Sequence, residues 1–152
     1  MLMDRYFDDF SVGEVIKGRS ATLTEAQIID FALTYDPQSF HIDANAAAES
    51  QFGGIIASGF QTMGLCFRLL VQLGIFEACS LGGPGIDEVR FLAPVRPGDT
   101  LTSELEIIEH KASASKPDLG VVRYYVRGTN QHGNQVLSFI VTHMLKRRGE
   151  SS

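Results

Sequence analysis

The segment from residue 59 to residue 76 constrains the fold of this chain most. Its polar side chains Gln61, Arg68 and Gln72 are seven and four positions apart, so they form one narrow stripe at helical period. The rest of the circumference is apolar. A helix that is apolar on most sides must be wrapped by other structure. The pattern therefore predicts a buried helix over residues 59–76, with a curved sheet as the wrapper.

The half of the chain that follows this helix has the alternating pattern of strands. Alternation predicts a half-buried strand around residues 88–93, and three further strands around 100–107, 122–126 and 135–146. Because the connections between successive strands are short, we expect neighbouring strands to be antiparallel. The prediction is an α+β fold in which a curved antiparallel sheet wraps around one long central helix.

Two shorter helices precede the central one. Thr24 and Gln27 have the spacing of a capping box, which predicts a helix running toward Tyr35. Pro37 ends it and disfavours a helical backbone at the residue before it. Asp43 is a candidate N-cap for an alanine-rich helix up to residue 50.

Length and composition predict one domain over residues 1–152, because the chain is too short for two ordinary cores. The net charge of −5 argues against a general affinity for nucleic acid or for an anionic membrane. The helix at 59–76 is short for a bilayer span of about 20 residues and carries polar side chains. We therefore expect neither nucleic acid nor membrane as a partner.

The location is predicted from the N-terminus and the cysteines. The first residues lack the long apolar core of a signal peptide. Cys66 and Cys79 have neither a metal-ligand spacing nor the density of a disulfide framework. We expect a cytoplasmic protein in which both cysteines are packing residues.

Asp36 and His41 are the strongest candidates for chemistry. If the intervening loop turns, the carboxylate and the imidazole can hold one water between them, which is the arrangement of general acid and base catalysis. In the alternative, Asp36 caps local backbone amides and His41 caps the alanine-rich helix. Spacing alone slightly favours this second interpretation.

Gly59 is the second candidate. Amides at a helix N-terminus are unpaired and carry partial positive charge, so the Gly59 N–H could polarise a carbonyl oxygen as an oxyanion hole does. Alternatively, Gly59 only allows the helix start to pack closely, and the two interpretations weigh about equally. Ser58 is not in a nucleophile elbow, and His41 with Asp43 makes no metal site. His143 lies on the apolar face of the last strand, where packing is its expected role.

The order of these residues resembles a known family. The run Asp36-Pro37-Gln38-Ser39-Phe40-His41, with Gly59 and the later segment at residues 91–101, is similar to the MaoC-like dehydratases, the (R)-specific enoyl-CoA hydratases. Their signature is Asp-x-Asn-Pro-(aliphatic)-His. Tyr35, Gln38 and Ser39 depart from it, replacing a common glycine, the asparagine and the proline.

The resemblance implies a fold, a reaction and three site residues. The family fold is the hot dog, a sheet wrapped around a central helix. The implied catalytic residues are Asp36 and His41, and the implied oxyanion-hole residue is Gly59. The implied reaction converts a trans-2-enoyl-CoA to the (R)-3-hydroxyacyl-CoA, with coenzyme A as part of the substrate and with no metal or redox cofactor. A homodimer or a higher homo-oligomer is also implied.

Two other functions stay open from the sequence. A hot-dog thioesterase would hydrolyse the same kind of acyl-CoA thioester, although it would leave the pairing of Asp36 with His41 unexplained. A non-catalytic acyl-CoA-binding domain would bind the thioester without turnover. The sequence ranks neither acyl chain length nor the arginines and lysines that could bind the coenzyme A phosphates.

Overall fold

A computed structural model of the chain describes residues 4–149. In chain order it contains a 3-10 helix Phe7–Asp9, strand β1 Val15–Thr22, helices α1 Glu25–Tyr35, α2 Ser39–Ile42, α3 Ala44–Glu49 and α4 Gly59–Val71, and strands β2 Gly85–Phe91, β3 Thr100–Ala112, β4 Leu119–Thr129 and β5 Gln135–Lys146. The strands form one antiparallel sheet in the order β1-β3-β4-β5-β2. The predicted α+β class, with an antiparallel sheet on one main helix, is confirmed.

The core lies between one face of α4 and the inner face of the sheet. The helix packs mainly on β3, β1 and β4. The buried side chains of the helix are Thr62, Leu65, Cys66, Leu69 and Leu70. Those of the two central strands include Leu101, Leu105, Ile107, Val122, Tyr124 and Val126. Cys66 and Cys79 are both buried and free, which confirms them as packing residues.

The central helix is shorter and less covered than its pattern predicts. It ends at Val71, because Gly74 has a left-handed backbone with φ of 78° and turns the chain away. The face opposite the sheet is open: Phe60 is 64% exposed and Val71 is 45% exposed. The expectation of a fully wrapped helix is therefore wrong for this face, because a single sheet covers only one side of a helix.

Two predictions about the strands are wrong. β2 and β3 follow each other in the chain but are not neighbours, since β2 pairs with β5 and β3 pairs with β1 and β4. The connection over residues 92–99 crosses between these positions in the sheet. β2 is also not half-buried, because it is an edge strand of the sheet, and Phe91 on it is 58% exposed.

Strand β1 has no counterpart in the predicted strands. Its side chains are almost all exposed or half-exposed, so no apolar alternation marks it. A Cβ atom at Gly18 would lie 3.0 Å from the Leu69 carbonyl oxygen of the central helix. Glycine therefore allows this edge strand to approach the helix backbone, which hydrophobic periodicity does not detect.

The helix caps agree with the sequence. The Thr24 side chain accepts a hydrogen bond from the Gln27 N–H, and the Gln27 side chain accepts one from the Thr24 N–H, as in a capping box. Asp43 accepts hydrogen bonds from the amides of Asn45 and Ala46 at the start of α3. Both predicted helix starts are confirmed.

The C-terminal basic residues pair with acidic residues near the N-terminus. The Arg147 guanidinium lies 3.3 Å from the Asp8 carboxylate, and Arg148 pairs with Asp9. Within residues 4–149, no helix is long and apolar enough to cross a membrane. The same residues contain no cluster of three or more His, Cys, Asp or Glu side chains that is placed to hold a metal ion.

A buried polar chain runs through the core beside β5. Tyr124 Oη lies 2.9 Å from His143 Nδ1, and His143 Nε2 lies 2.8 Å from Ser80 Oγ. Tyr124 is fully buried, so its hydroxyl must donate to the only acceptor within reach in the described chain, His143 Nδ1. We therefore assign the neutral tautomer with its proton on Nε2, which donates to Ser80. The expected packing role of His143 is confirmed, together with these hydrogen bonds.

We predict that His143 makes folding stability depend on pH. Burial lowers the pKa of His143 below its ordinary value of 6.5. The unfolded chain therefore binds a proton near pH 6.5 before the folded chain does. The contribution of neutral His143 to the free energy of unfolding is fully present above pH 6.5. It is lost as the pH falls below 6.5, and the unfolding free energy then changes by at most about 1.4 kcal/mol per pH unit.

Urea unfolding between pH 7.5 and pH 5 measures this effect. In the double variant Tyr124→Phe/His143→Leu, both partners of the buried hydrogen bond are removed together, and Ser80, the other partner of His143, is exposed and can bond to water instead. The pH slope of the unfolding free energy below 6.5 should be shallower in this variant than in the parent. Equal slopes in the two proteins would contradict the prediction that His143 makes folding stability depend on pH.

Candidate active site

Asp36 and His41 are brought together by a turn and one short helix. Asp36 is the residue that ends α1, with φ of −156° and ψ of 67°, and α2 begins three positions later. The single turn of α2 directs the His41 ring back, so that His41 Nε2 lies 3.2 Å from Asp36 Oδ2. The alternative predicted for these residues is not observed, because Asp43 and not His41 caps α3.

The Asp36 carboxylate is held by three neighbours. Ser58 Oγ donates to Oδ2 at 2.7 Å, and Gln38 Nε2 donates to Oδ1 at 2.8 Å. Burial alone would raise the pKa of Asp36, but these two hydrogen bonds and the His41 imidazole outweigh it and place the pKa below the ordinary value of 3.8. Asp36 is therefore an anion at neutral pH.

The His41 ring is fixed at both nitrogens. Its side chain is 4% exposed, and Nδ1 lies 2.6 Å from the Ile56 carbonyl oxygen. A carbonyl oxygen only accepts, so Nδ1 carries a proton. The other ring nitrogen, Nε2, faces the Asp36 carboxylate. An imidazole nitrogen in this position accepts a proton or, once it carries one, donates it.

Ser58 is a site residue that the sequence did not identify. It is fully buried, and its hydroxyl donates to Asp36 while accepting a hydrogen bond from the Phe60 N–H at 3.3 Å. It is therefore both the N-cap of α4 and a support of the carboxylate. A serine immediately before the first helical residue was a visible N-cap signal, but its contact to a residue 22 positions earlier was not.

Gly59 presents its amide at the start of α4. The N–H of a first helical residue has no intrahelical acceptor, and no other acceptor for it occurs in residues 4–149. A Cβ atom at this position would overlap the ring of Phe91. Glycine thus allows the close approach of this ring, and it also leaves the amide uncovered, so both interpretations of Gly59 have a structural basis.

A pocket of about 360 Å³ lies beside His41 and Gly59. His41 and Gly59 lie in its wall, whereas Asp36 contacts His41 from outside the wall and has 13% of its side chain exposed. The remaining wall is mainly apolar, from Phe52, Ile56, Ala57, Phe91, Leu92, Ala93, Pro94, Val95 and Val136. The site thus has an apolar pocket with the contacting side chains of Asp36 and His41 and a helix-start amide in or beside its wall.

Comparison with known proteins identifies the family. The sequence model described as "MaoC like domain" matches residues 9–129. The chain therefore belongs to the MaoC-like dehydratase family. It is 30% identical to the uncharacterized protein YdeM of Bacillus subtilis over 140 residues. This match covers 92% of this chain and 98% of YdeM.

Two further relatives have named activities. A 3-hydroxybutyryl-CoA dehydratase from Methylorubrum extorquens is 32% identical over 68% of this chain and 64% of its own length. The crystallised (R)-hydratase PhaJ1 of Pseudomonas aeruginosa superimposes with a TM-score of 0.76 at 27% identity, covering 98% of this chain and 92% of PhaJ1. The similarity supports a hydro-lyase role in general terms, as part of a family of hydratases and dehydratases.

We predict that Ser58 stabilises the fold by more than an ordinary helix cap. Thr24→Ala removes only a cap and should cost about 1 kcal/mol of unfolding free energy. Ser58→Ala removes a cap together with a hydrogen bond to an ion, which adds roughly 1.5 kcal/mol or more. Urea unfolding of both variants at pH 7 gives the comparison. Equal losses in the two would show that the contact between Ser58 and Asp36 contributes nothing.

Proposed function

We propose that this protein hydrates a trans-2-enoyl-CoA to the (R)-3-hydroxyacyl-CoA and catalyses the reverse dehydration. The observation that carries the proposal is the contact between Asp36 and His41 beside a pocket whose wall also contains the Gly59 amide. The family membership and the dehydratase and (R)-hydratase relatives support it. Coenzyme A enters as part of the substrate.

The chemistry needs three functions from the protein. In the hydration direction a water oxygen bonds to C3, which is electrophilic because the thioester carbonyl withdraws electrons. Asp36 and His41 together bind this water, take one of its protons and return a proton to C2. The Gly59 N–H donates to the thioester oxygen, on which negative charge develops. One water is added across the double bond, and no metal or redox cofactor takes part in this scheme.

The two side chains act as a coupled pair. His41 Nε2 lies 3.2 Å from Asp36 Oδ2, which is close enough for a proton to pass between the two side chains during the reaction. The mainly apolar pocket limits competing water and favours an acyl chain over a charged group. We place the activity in the cytoplasm, which agrees with the free thiols of Cys66 and Cys79.

We predict hydration of crotonyl-CoA, with loss of the enoyl thioester absorbance and an (R)-3-hydroxy product. Asp36→Asn and His41→Ala should each lower kcat/KM by about 100-fold or more, because each removes one partner of the acid–base pair. Matched controls are Asp30→Asn and His132→Ala, which change an exposed aspartate and an exposed histidine and should retain activity.

Other results would favour the alternatives. Release of free coenzyme A from saturated acyl-CoA would support a thioesterase. Binding of acyl-CoA without turnover of short, long or branched enoyl-CoA would support a non-catalytic acyl-CoA-binding domain, in which Asp36→Asn would change only affinity.

We further propose that the protein forms a homodimer through β2 and the open face of α4. β2 is an edge strand, and Ile86 and Phe91 on it are exposed together with Phe60 and Val71 of the helix. Exposed edges and adjoining apolar side chains are costly to leave in water. Pairing of β2 with its copy would cover them under two-fold symmetry.

The expected solution mass is therefore roughly twice 16.6 kDa. Ile86→Lys should shift the protein toward the monomer, because it places a charge in the proposed interface. Val12→Lys is the control, since Val12 is also exposed but precedes β1 at the other edge of the sheet. Light scattering after size exclusion measures both. A monomeric parent, or equal behaviour of the two variants, would contradict the proposal.

A further inference from the structure

Gln38 makes three hydrogen bonds that connect Asp36 to His41. Its backbone N–H donates to the Asp36 carbonyl oxygen at 2.8 Å, and its carbonyl oxygen accepts from the His41 N–H at 2.9 Å. Its side-chain Nε2 donates to Asp36 Oδ1 at 2.8 Å. The residue is thus attached to both members of the acid–base pair.

The side chain of Gln38 is not explained by packing or by capping. Gln38 is exposed, and although it is the N-cap residue of α2, its side chain makes no capping hydrogen bond. The amide is instead directed at the carboxylate. The nitrogen must face Asp36, because the amide oxygen would be repelled by the anion.

The hydrogen bonds on Asp36 are distributed unequally between its two oxygens. Oδ2 accepts from Ser58 and is in contact with His41, so both of its lone-pair directions are used. Oδ1 accepts only from Gln38 in the described part of the chain. A carboxylate offers about four acceptor positions, two on each oxygen. The remaining position is therefore on Oδ1, the oxygen that Gln38 contacts.

We propose that Gln38 is a positioning residue that holds the Asp36 carboxylate through Oδ1 in the orientation in which Oδ2 contacts His41. The inference rests on the proposed hydratase function and adds a residue to it. A hydrogen bond donated to a carboxylate favours its ionised form. Without the Gln38 amide, Oδ1 would have no donor in the described part of the chain, and only the contacts of Ser58 and His41 to Oδ2 would hold the carboxylate.

The electrostatics agree with this geometry. Burial tends to raise the pKa of Asp36, and the hydrogen bonds from Ser58 and then Gln38 lower it, ahead of the charge of His41. His41 is the titratable side chain in direct contact with Asp36. Asp43, on the same loop, is turned toward the amides of α3. Changing Gln38 therefore alters one of the few groups that decide the ionisation of Asp36.

Two substitutions test the proposal in graded fashion. Gln38→Ala removes the donor to Oδ1, and Gln38→Glu replaces it with a second carboxylate, which adds repulsion. The pKa of Asp36 should rise in the order parent, Gln38→Ala, Gln38→Glu. Carbon-13 NMR titration of the aspartate side-chain carboxyls measures this order without any substrate, and Asp36→Asn identifies the signal. Gln51→Ala is the control, since Gln51 is exposed and its side chain makes no hydrogen bond in residues 4–149.

The same variants are then compared in the crotonyl-CoA assay. For Gln38→Ala, the loss of kcat/KM relative to the parent should be greater at pH 4 than at pH 7, because a larger fraction of Asp36 is protonated in the variant at the lower pH. A merely structural role would lower activity equally at all pH values and would give the same pKa of Asp36 in all three proteins. That result would overturn the proposal. If the NMR order holds and no enoyl-CoA is hydrated, the hydratase function fails while the control of Asp36 by Gln38 stands.

Discussion

The burial of one face of α4 against the sheet is the contact on which the rest of the structure depends. Leu65, Leu69 and Leu70 fill the space above the central strands, and a helix attached along its length in this way has little freedom to slide or rotate. Its first turn is therefore fixed as well. The positions of Ser58 and Gly59, and the direction of the free amide, follow from packing that takes place a turn or more away.

The segment before α4 is held from both sides. The Ile56 N–H donates to the Phe40 carbonyl oxygen next to His41, and the Ala57 N–H donates to the Val95 carbonyl oxygen. Val95 belongs to the connection between β2 and β3, which crosses the molecule because β2 lies at the edge beyond β5. This strand order thus provides one wall of the pocket and a support for the segment that carries Ser58.

The Asp36 carboxylate is stabilised by a small number of polar contacts. A largely buried carboxylate is costly unless polar groups surround it, and here Ser58 and Gln38 donate to it while the His41 ring lies in contact. Ser58 serves the helix and the carboxylate with one hydroxyl. Such sharing couples the start of α4 to the contact between Asp36 and His41, because a shift of the helix start would also move a donor away from Asp36.

Local patterns in the sequence determined several features of this protein. The capping residues Thr24 and Asp43, the strands β3, β4 and β5, and the family signature around Asp36 all depend on neighbours within a few positions, where backbone preferences and side-chain periods act directly. The candidate residues Asp36, His41 and Gly59 were also identified from the sequence, and their catalytic roles stay predictions.

Only the tertiary structure decided the contacts between distant segments. The place of β2 beside β5, the edge strand β1, the open face of α4 and the hydrogen bond from Ser58 to Asp36 each depend on which segments meet in space. The same apolar pattern on α4 is compatible with complete or one-sided burial, because periodicity records which residues avoid water and not which surface covers them. That choice depends on the order of the strands, which no short stretch of sequence contains.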